Sequence, residues 1–511
     1  MERYNLMSRK TNSIRNTKYA VIGQFIGLAI TFLTRMVFVR MLSAEYLGLN
    51  GLFTNILSIL NFAELGIGSS IIFSLYKPLA EKNETKIKIL MGIYKKSYTI
   101  IGVIVAILGI TFMPFLGNVI KDIPNIPNIK LIYLMFIIDS VISYLLSYKR
   151  SLMIADQKGY IDTIFHYSFN IGMNILQISV LFLTQNYIFY LGVKILNTLV
   201  ENIVIYRYVD KLYPFIREKS TEKLEEIEKR TLIRNIKALI CHKIGSVAVL
   251  GTDNLLISKY VSLASVGVYS NYLMIINGLN TIFGLAFQSI VASVGNLNAT
   301  ETKEKSKFIF NCIDLIGFWI YTFASISLIN LINPFIRLWV GERYLFSMPL
   351  VMIIILNFYL AGMRKSVQTF KEAFGLFWYD RYKPLFEAVI NLTASIILVK
   401  QIGTIGVFIG TAISTILTCF WIEPYVLYKY GFHVSSKKYF IKYFINTAIL
   451  ISVGSITWLI CGIFSNYTLI GFIARMLVCA IVPNLILVII FFKTKEFKYL
   501  FESFKNILKA K

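Results

Sequence analysis

Fourteen stretches of this chain are long and apolar enough to cross a lipid bilayer, lying near 19–41, 46–75, 90–117, 130–153, 162–183, 187–207, 236–259, 266–296, 308–333, 346–370, 384–400, 404–428, 439–464 and 469–492. A hydrocarbon layer of roughly 30 Å takes about 20 helical residues to span. Backbone amides there have no water to bond to, so a spanning segment must satisfy them internally as a helix. The composition agrees: 56% of the 511 residues are hydrophobic and only 15% charged. A soluble fold could not cover its surface with so few polar groups. The sequence therefore predicts an all-α, polytopic membrane protein of about 14 transmembrane helices.

Charge gives the orientation. Lys and Arg number 52 against 27 Asp and Glu, for a net charge of +25. With the amino terminus inside, 42 of the 52 cations fall in inner segments, 6 in outer loops (Lys121, Lys130, Lys259, Arg337, Arg343, Lys400) and 4 within spans (Arg35, Arg40, Lys194, Arg475). Such asymmetry is the positive-inside signature and predicts that both termini are cytoplasmic. The basic excess suits anionic headgroups rather than nucleic acid.

The chain also repeats itself. FVRMLSAEYLGLN at 38–50 matches LISKYVSLASVGVY at 256–269 with a shift of 219, which aligns Arg40 with Lys259 and Gly48 with Gly267. A shift of 220 aligns Pro114-Phe115 with Pro334-Phe335, and one of 222 aligns Lys149 with Lys371 and Glu201 with Glu423. A six-helix repeat enters the membrane twice from the same side, so the two copies are parallel. The expected organisation is a basic cytoplasmic tail (1–18), a six-helix lobe (19–208), a mixed-charge amphipathic linker (209–235), a second six-helix lobe (236–430), an appended helix pair (438–493) and a basic tail (494–511).

Polar residues recur at helical spacing within the spans: Gln24, Thr31 and Arg35; Asn50, Thr54, Ser58, Asn61 and Glu64; His166, Asn170, Asn174 and Gln177; Asn277 with Ser270, Thr281 and Gln288; Asn357, Arg364, Gln368 and Lys371. One such residue only glues two helices together, for about 0.6 kcal/mol. Stripes in both halves predict a shared hydrated cavity. A charge at the bilayer centre costs roughly 3 kcal/mol on insertion scales, so Arg35, Glu64, Asp139 and Asp253 are candidate functional groups, and Arg35 with Glu64 or Asp253 a candidate ion pair. Glu64, Asp139 and Asp253 are the candidates for ion coupling. No catalytic or metal constellation emerges: His166, His242 and His433 are scattered, the five cysteines are too dispersed for a metal site, and no phosphate-binding GxxxxGK[ST] loop occurs. The chain reads as a carrier rather than an enzyme, with no cofactor.

The segment TRMVFVRMLSAEYLGLNGLFTNILSILNFAELGIGSSI at 34–71, with SLYKPLAEKN at 74–83 and ADQKGYI at 155–161, resembles the polysaccharide flippases of the Wzx type, in the multidrug/oligosaccharidyl-lipid/polysaccharide exporter superfamily. The likeness extends over essentially the whole chain through its span order of six, six and two. It implies movement of an undecaprenyl-diphosphate-linked oligosaccharide from the inner to the outer leaflet of a bacterial plasma membrane, by alternating access, for capsule or O-antigen-type polymers. It also implies membrane lipids and a polysaccharide polymerase and chain-length machinery as partners. On this likeness Arg35 is the first choice for the diphosphate. Arg40, Asn61, Lys259, Asn277, Arg364 and Lys371 are the further substrate-binding candidates. A peptidoglycan-precursor (lipid II) flippase, a cation-coupled drug antiporter of the same superfamily, and a membrane-embedded glycosyltransferase are the alternatives; short outer loops disfavour the last.

Overall fold

A computed structural model describes residues 2–64, 67–121, 126–218, 226, 229–230, 233 and 251–509, and no strand occurs among them. The helices are α1 (Glu2–Met41), α2 (Ala44–Leu60), α3 (Ile67–Ala80), α4 (Glu84–Phe112), α5 (Leu116–Val119), α6 (Ile129–Leu145), α7 (Arg150–Ala155), α8 (Gly159–Thr184) and α9 (Tyr187–Leu212). They continue with α10 (Asp253–Tyr260), α11 (Leu263–Thr300), α12 (Lys303–Val340), α13 (Met348–Met363), α14 (Lys365–Ala373), α15 (Lys383–Ile402), α16 (Thr404–Leu417) and α17 (Cys419–Val426). The last three are α18 (Lys437–Cys461), α19 (Leu469–Phe491) and α20 (Lys495–Lys509). The chain divides into two compact units, 1–267 and 268–511.

Eleven helical segments among the described residues are long and apolar enough to cross a membrane, and a bent pair, Ile129–Leu145 with Ser147–Ala155, makes twelve. The two remaining expected spans differ in kind. Most of 236–259 lies outside the described residues, as does about half of the 209–235 linker. The expected continuous span 46–75 is interrupted: α2 gives way to a 3₁₀ turn at Asn61–Glu64 before α3 begins. The interruption falls where polar side chains, Asn61 and Glu64, can occupy the broken ladder. The basic residues expected as an amino-terminal tail are helical, because α1 continues the first span back to Glu2.

Large apolar side chains stand on the outside, among them Leu183 (84% exposed) and Ile470 (82%). Surface of that kind is stable against lipid and not against water. Several helix starts are capped by a side chain. Asn83 accepts from the Lys86 amide at 3.0 Å, Asn186 from Ile188 at 2.8 Å and Thr302 from Lys305 at 3.3 Å. Beyond the end of α9, Glu218 pairs with Lys88 at 2.6 Å, and the hydrogen bond and charge of that ammonium hold the Glu218 carboxyl below its ordinary pKa.

In the first unit, α4 supplies the core through Leu90, Tyr94, Tyr98, Ile101 and Val105, packed with Tyr144, Tyr148, Ile205 and Val209. The two glycines that the repeat aligns also meet within this unit. A methyl group added at Gly48 would overlap the Leu263 carbonyl oxygen, and one at Gly267 would overlap that of Ala44. Neither neighbour is a movable side-chain end, so the α2 and α11 backbones touch only because both positions lack Cβ. In the second unit Phe310 sits within an aromatic cluster, with ring centroids 5.2 Å from Phe370, 5.5 Å from Phe432 and 5.8 Å from Tyr428. Gly48→Ala is expected to destabilise the protein by about 1–3 kcal/mol, the usual cost of overpacking. A lowered thermal midpoint of the purified protein in detergent checks it, with exposed Gly92→Ala, which meets nothing within 4 Å, as the neutral control.

A cationic polar cavity in the first unit

Helices α1 and α8 approach closely because Gly23 and Gly27 leave room for the Tyr167 ring, where any Cβ would collide with it. The Tyr167 hydroxyl donates to the Gln24 side-chain oxygen at 2.8 Å and fixes the relative register of the pair. One to three turns further along, both helices present their polar stripes to the same space. The result is a cavity of about 200 Å³ lined by Thr31, Thr34 and Arg35 from α1, Asn50 from α2, Asn170, Asn174 and Gln177 from α8, and Tyr190 and Lys194 from α9. Four stripes that are separate in sequence thus converge.

The lining amides are held in place by short-range bonds. Asn174 donates to the Asn170 backbone oxygen at 2.7 Å and to its side-chain oxygen at 3.1 Å, and Gln177 donates to the Tyr190 carbonyl at 3.2 Å. Thr31 and Thr34 bond back to Gly27 and Ile30. Phe38 closes one wall, edge-on to Tyr190 with ring centroids 5.1 Å apart. Two cations, Arg35 and Lys194, line the cavity, and no Asp or Glu does among the described residues. The counter-charge stands behind: Lys194 pairs with Asp139 at 3.0 Å, and Thr198 donates to the other Asp139 oxygen at 2.7 Å. Such a site suits a multiply charged anion with hydroxyl-bearing substituents. Lys194 was legible in sequence as an intramembrane charge; the stripe that carries it, Lys194, Thr198 and Glu201 at helical spacing on α9, was the signal left unread.

The other expected residues lie elsewhere. Glu64, expected as a partner for Arg35, accepts from Tyr98 at 2.7 Å and Tyr144 at 3.0 Å, with Tyr94 bonded in turn to Tyr98 and Ser151. Asn61, one 3₁₀ turn earlier, accepts from Ser140 at 3.4 Å. Arg40 is exposed, as are Lys259, whose ammonium lies 5.5 Å from the Tyr260 ring, and Asn277. Asp253 opens α10, with one carboxylate oxygen buried.

In the second unit Arg364 grips Glu423 through two bonds of 2.9 and 2.8 Å and lies 3.7 Å from Glu387. Lys383 shares Glu423, and buried Lys371 pairs with Asp380. In the first unit Glu201, at the position the repeat aligns with Glu423, is held by Arg150 at 2.6 Å, with His166 at 3.4 Å. Both glutamates therefore anchor an arginine from a neighbouring helix of their own unit. Arg475, the remaining intramembrane cation, donates to the Phe464 carbonyl at 3.1 and 2.7 Å and caps the turn between α18 and α19.

These features define a multi-pass membrane protein with a cationic polar cavity within its first unit. The profile of the polysaccharide biosynthesis protein family matches residues 13–292, more than half of the chain, and the protein belongs to that family. Its structure is similar to that of the lipid II flippase MurJ in an inward closed conformation (TM-score 0.64, 16% identity, 94% of this chain and 99% of that one). It is also similar to a multidrug-resistance MATE transporter of the MOP superfamily in an inward-facing conformation (0.61, 13%, 78% and 94%), and to a MOP superfamily transporter from Pyrococcus furiosus (0.53, 12%, 82% and 96%). A comparison with curated protein sequences finds no match.

The Arg364–Glu423 pair is buried, and removing one member leaves its partner as an uncompensated charge, at about 3–5 kcal/mol. Glu423→Ala is expected to lower the thermal midpoint sharply. The Arg364→Ala/Glu423→Ala double variant should lose less than the two single variants combined, which a double-mutant cycle in detergent measures.

Proposed function

We propose that this protein is a Wzx-type flippase, which moves undecaprenyl-diphosphate-linked oligosaccharide units from the inner to the outer leaflet of a bacterial plasma membrane. The product would feed a capsule or O-antigen-type polysaccharide through a polymerase and its chain-length partner. The observation that carries the reading is the first-unit cavity. Arg35 and Lys194 offer charge to a diphosphate, and Asn50, Asn170, Asn174 and Gln177 offer hydrogen bonds to sugar hydroxyls. Membership in a polysaccharide biosynthesis family supports a glycan-bearing substrate. In this proposal Arg35 is the principal diphosphate contact. Lys194 is the second, exchanging Asp139 for phosphate, while Arg40, Asn61, Lys259, Asn277, Arg364 and Lys371 act along the path or at its mouths. Glu64 and Asp139 are the groups for ion coupling, with Asp253 a further one.

The proposed topology has 14 spans, two parallel six-helix lobes with an appended pair, and both termini in the cytoplasm. It follows from the loop charges, and the transport cycle from rocking of the lobes. A lipid II flippase is the second reading, favoured by the likeness to MurJ over 94% of this chain. A cation-coupled drug antiporter fits less well, because the described lining of the cavity holds no carboxylate for a cationic drug.

Leaflet-resolved quantification of undecaprenyl-diphosphate glycans in cells with and without the protein tests the reading. Loss should strand the lipid-linked oligosaccharide on the inner leaflet and deplete surface polysaccharide. Arg35→Ala should slow transport about tenfold or more, from the loss of one charge-assisted contact worth roughly 1.5–3 kcal/mol. An unchanged leaflet distribution in a strain with no second flippase would overturn the assignment. Accumulation of the peptidoglycan precursor instead would select the second reading.

A further inference from the structure

Helix α20 begins at Lys495, four residues after α19 ends at Phe491. A 23-residue helix such as α19 is about 34 Å long and fills the hydrocarbon layer. The helix that follows therefore starts within a few ångströms of the bilayer surface. The first turns of α20 are docked on α12: Phe497 stacks on Trp319 with centroids 6.0 Å apart, and Tyr499 meets Phe308 edge-on at 5.3 Å. The Trp319 indole in turn donates to Asn484 of α19 at 2.7 Å, which ties the three helices together.

Further along the helix the cover ends, on the same apolar stripe as Phe497, whose ring stacks on that of Phe501 with centroids 6.4 Å apart. Phe501 is 60% exposed and Phe504 61%. At 3.6 residues per turn they point about 60° apart. Lys498 and Lys505 lie next to them on the wheel and are exposed, as are Lys495 and Lys493 on the same segment. Glu502 is the one exposed acid between Lys493 and Asn506, and Glu496 is half-buried. Two bulky aromatic rings flanked by four exposed lysines, on a helix tethered at the membrane surface, match an interfacial helix: rings at the acyl boundary, ammonium groups among headgroups.

We propose that α20 is a binding surface for anionic lipid headgroups on the leaflet where α19 emerges, and that through Tyr499 and Phe308 it fixes the first turns of α12 against that leaflet. Continuity with a membrane span selects lipid over a protein partner, and the charge selects anionic over zwitterionic lipid. The proposal depends on the membrane spans alone and stands whatever substrate the protein carries.

Hydrogen–deuterium exchange of segment 495–509 tests it, with the full-length protein in nanodiscs of phosphatidylethanolamine alone or with phosphatidylglycerol added. Each lysine near an anionic surface contributes about 1 kcal/mol, or roughly fivefold. Exchange should slow at least about fivefold when phosphatidylglycerol is present. That gain should vanish in the Lys495→Glu/Lys498→Glu/Lys505→Glu variant and in Phe501→Ser/Phe504→Ser. Exchange across α18 and α19 serves as the folding control and should not change. Soluble glycerol phosphate added to zwitterionic nanodiscs should give no protection, which separates a lipid surface from a free phosphate site. Equal exchange in the two lipid compositions overturns the proposal, as does undiminished protection in the triple lysine variant with α18 and α19 intact. Protection that arises only on adding a second protein would assign the face to that partner instead.

Discussion

A bilayer interior cannot solvate a charge, and the placement of ionisable groups in this protein follows from that fact. Asp139 is matched by Lys194, Glu201 by Arg150, Asp314 by Lys442 at 2.9 Å, and Glu423 by Arg364 and Lys383. Glu64 accepts instead from two tyrosine hydroxyls, Tyr98 and Tyr144. Within this economy the first-unit cavity is distinctive, since its lining carries Arg35 and Lys194 while the carboxylate that balances Lys194 stands outside it. A cavity lined by two cations, and by no carboxylate among the described residues, favours an anion over a cation.

Backbone chemistry obeys the same constraint. The ladder is interrupted between α2 and α3 at Asn61–Glu64, and a π-helical turn at Leu427–Gly431 follows Pro424. Each break brings a polar side chain into play: Glu64 among tyrosines in one unit, and Glu423, next to Pro424, between Arg364 and Lys383 in the other. Irregular backbone in a membrane is tolerated where protein rather than lipid surrounds it. The breaks therefore fall at buried polar networks. Glycine has a different use at Gly23, Gly27, Gly48 and Gly267, where it lets helices touch and sets the width of the spaces left between them.

Membrane insertion, helical class, the approximate span positions and the polar stripes were all legible in the sequence, because they depend on hydropathy and on a period of 3.6 residues, which are local properties. Fate was not legible. Arg35, Arg364 and Lys371 look alike in sequence as cations within or beside apolar helices. Arg35 lines a cavity, whereas Arg364 and Lys371 are committed to Glu423 and Asp380, residues nine to fifty-nine positions away. Likewise 46–75 reads as one span, since hydropathy averages over the break that the Asn61–Glu64 turn introduces.

The sequence by itself thus determined that this is a polytopic helical membrane protein with polar stripes along its spans. Solvation free energy and helical periodicity act residue by residue, and so can be read in order along the chain. Only the tertiary structure decided that the stripes of α1, α2 and α8 share one cavity with Lys194, and that Phe501 and Phe504 of α20 stay uncovered. Those outcomes depend on which helices touch, and the touching is set by small residues and ring packing between segments far apart in sequence.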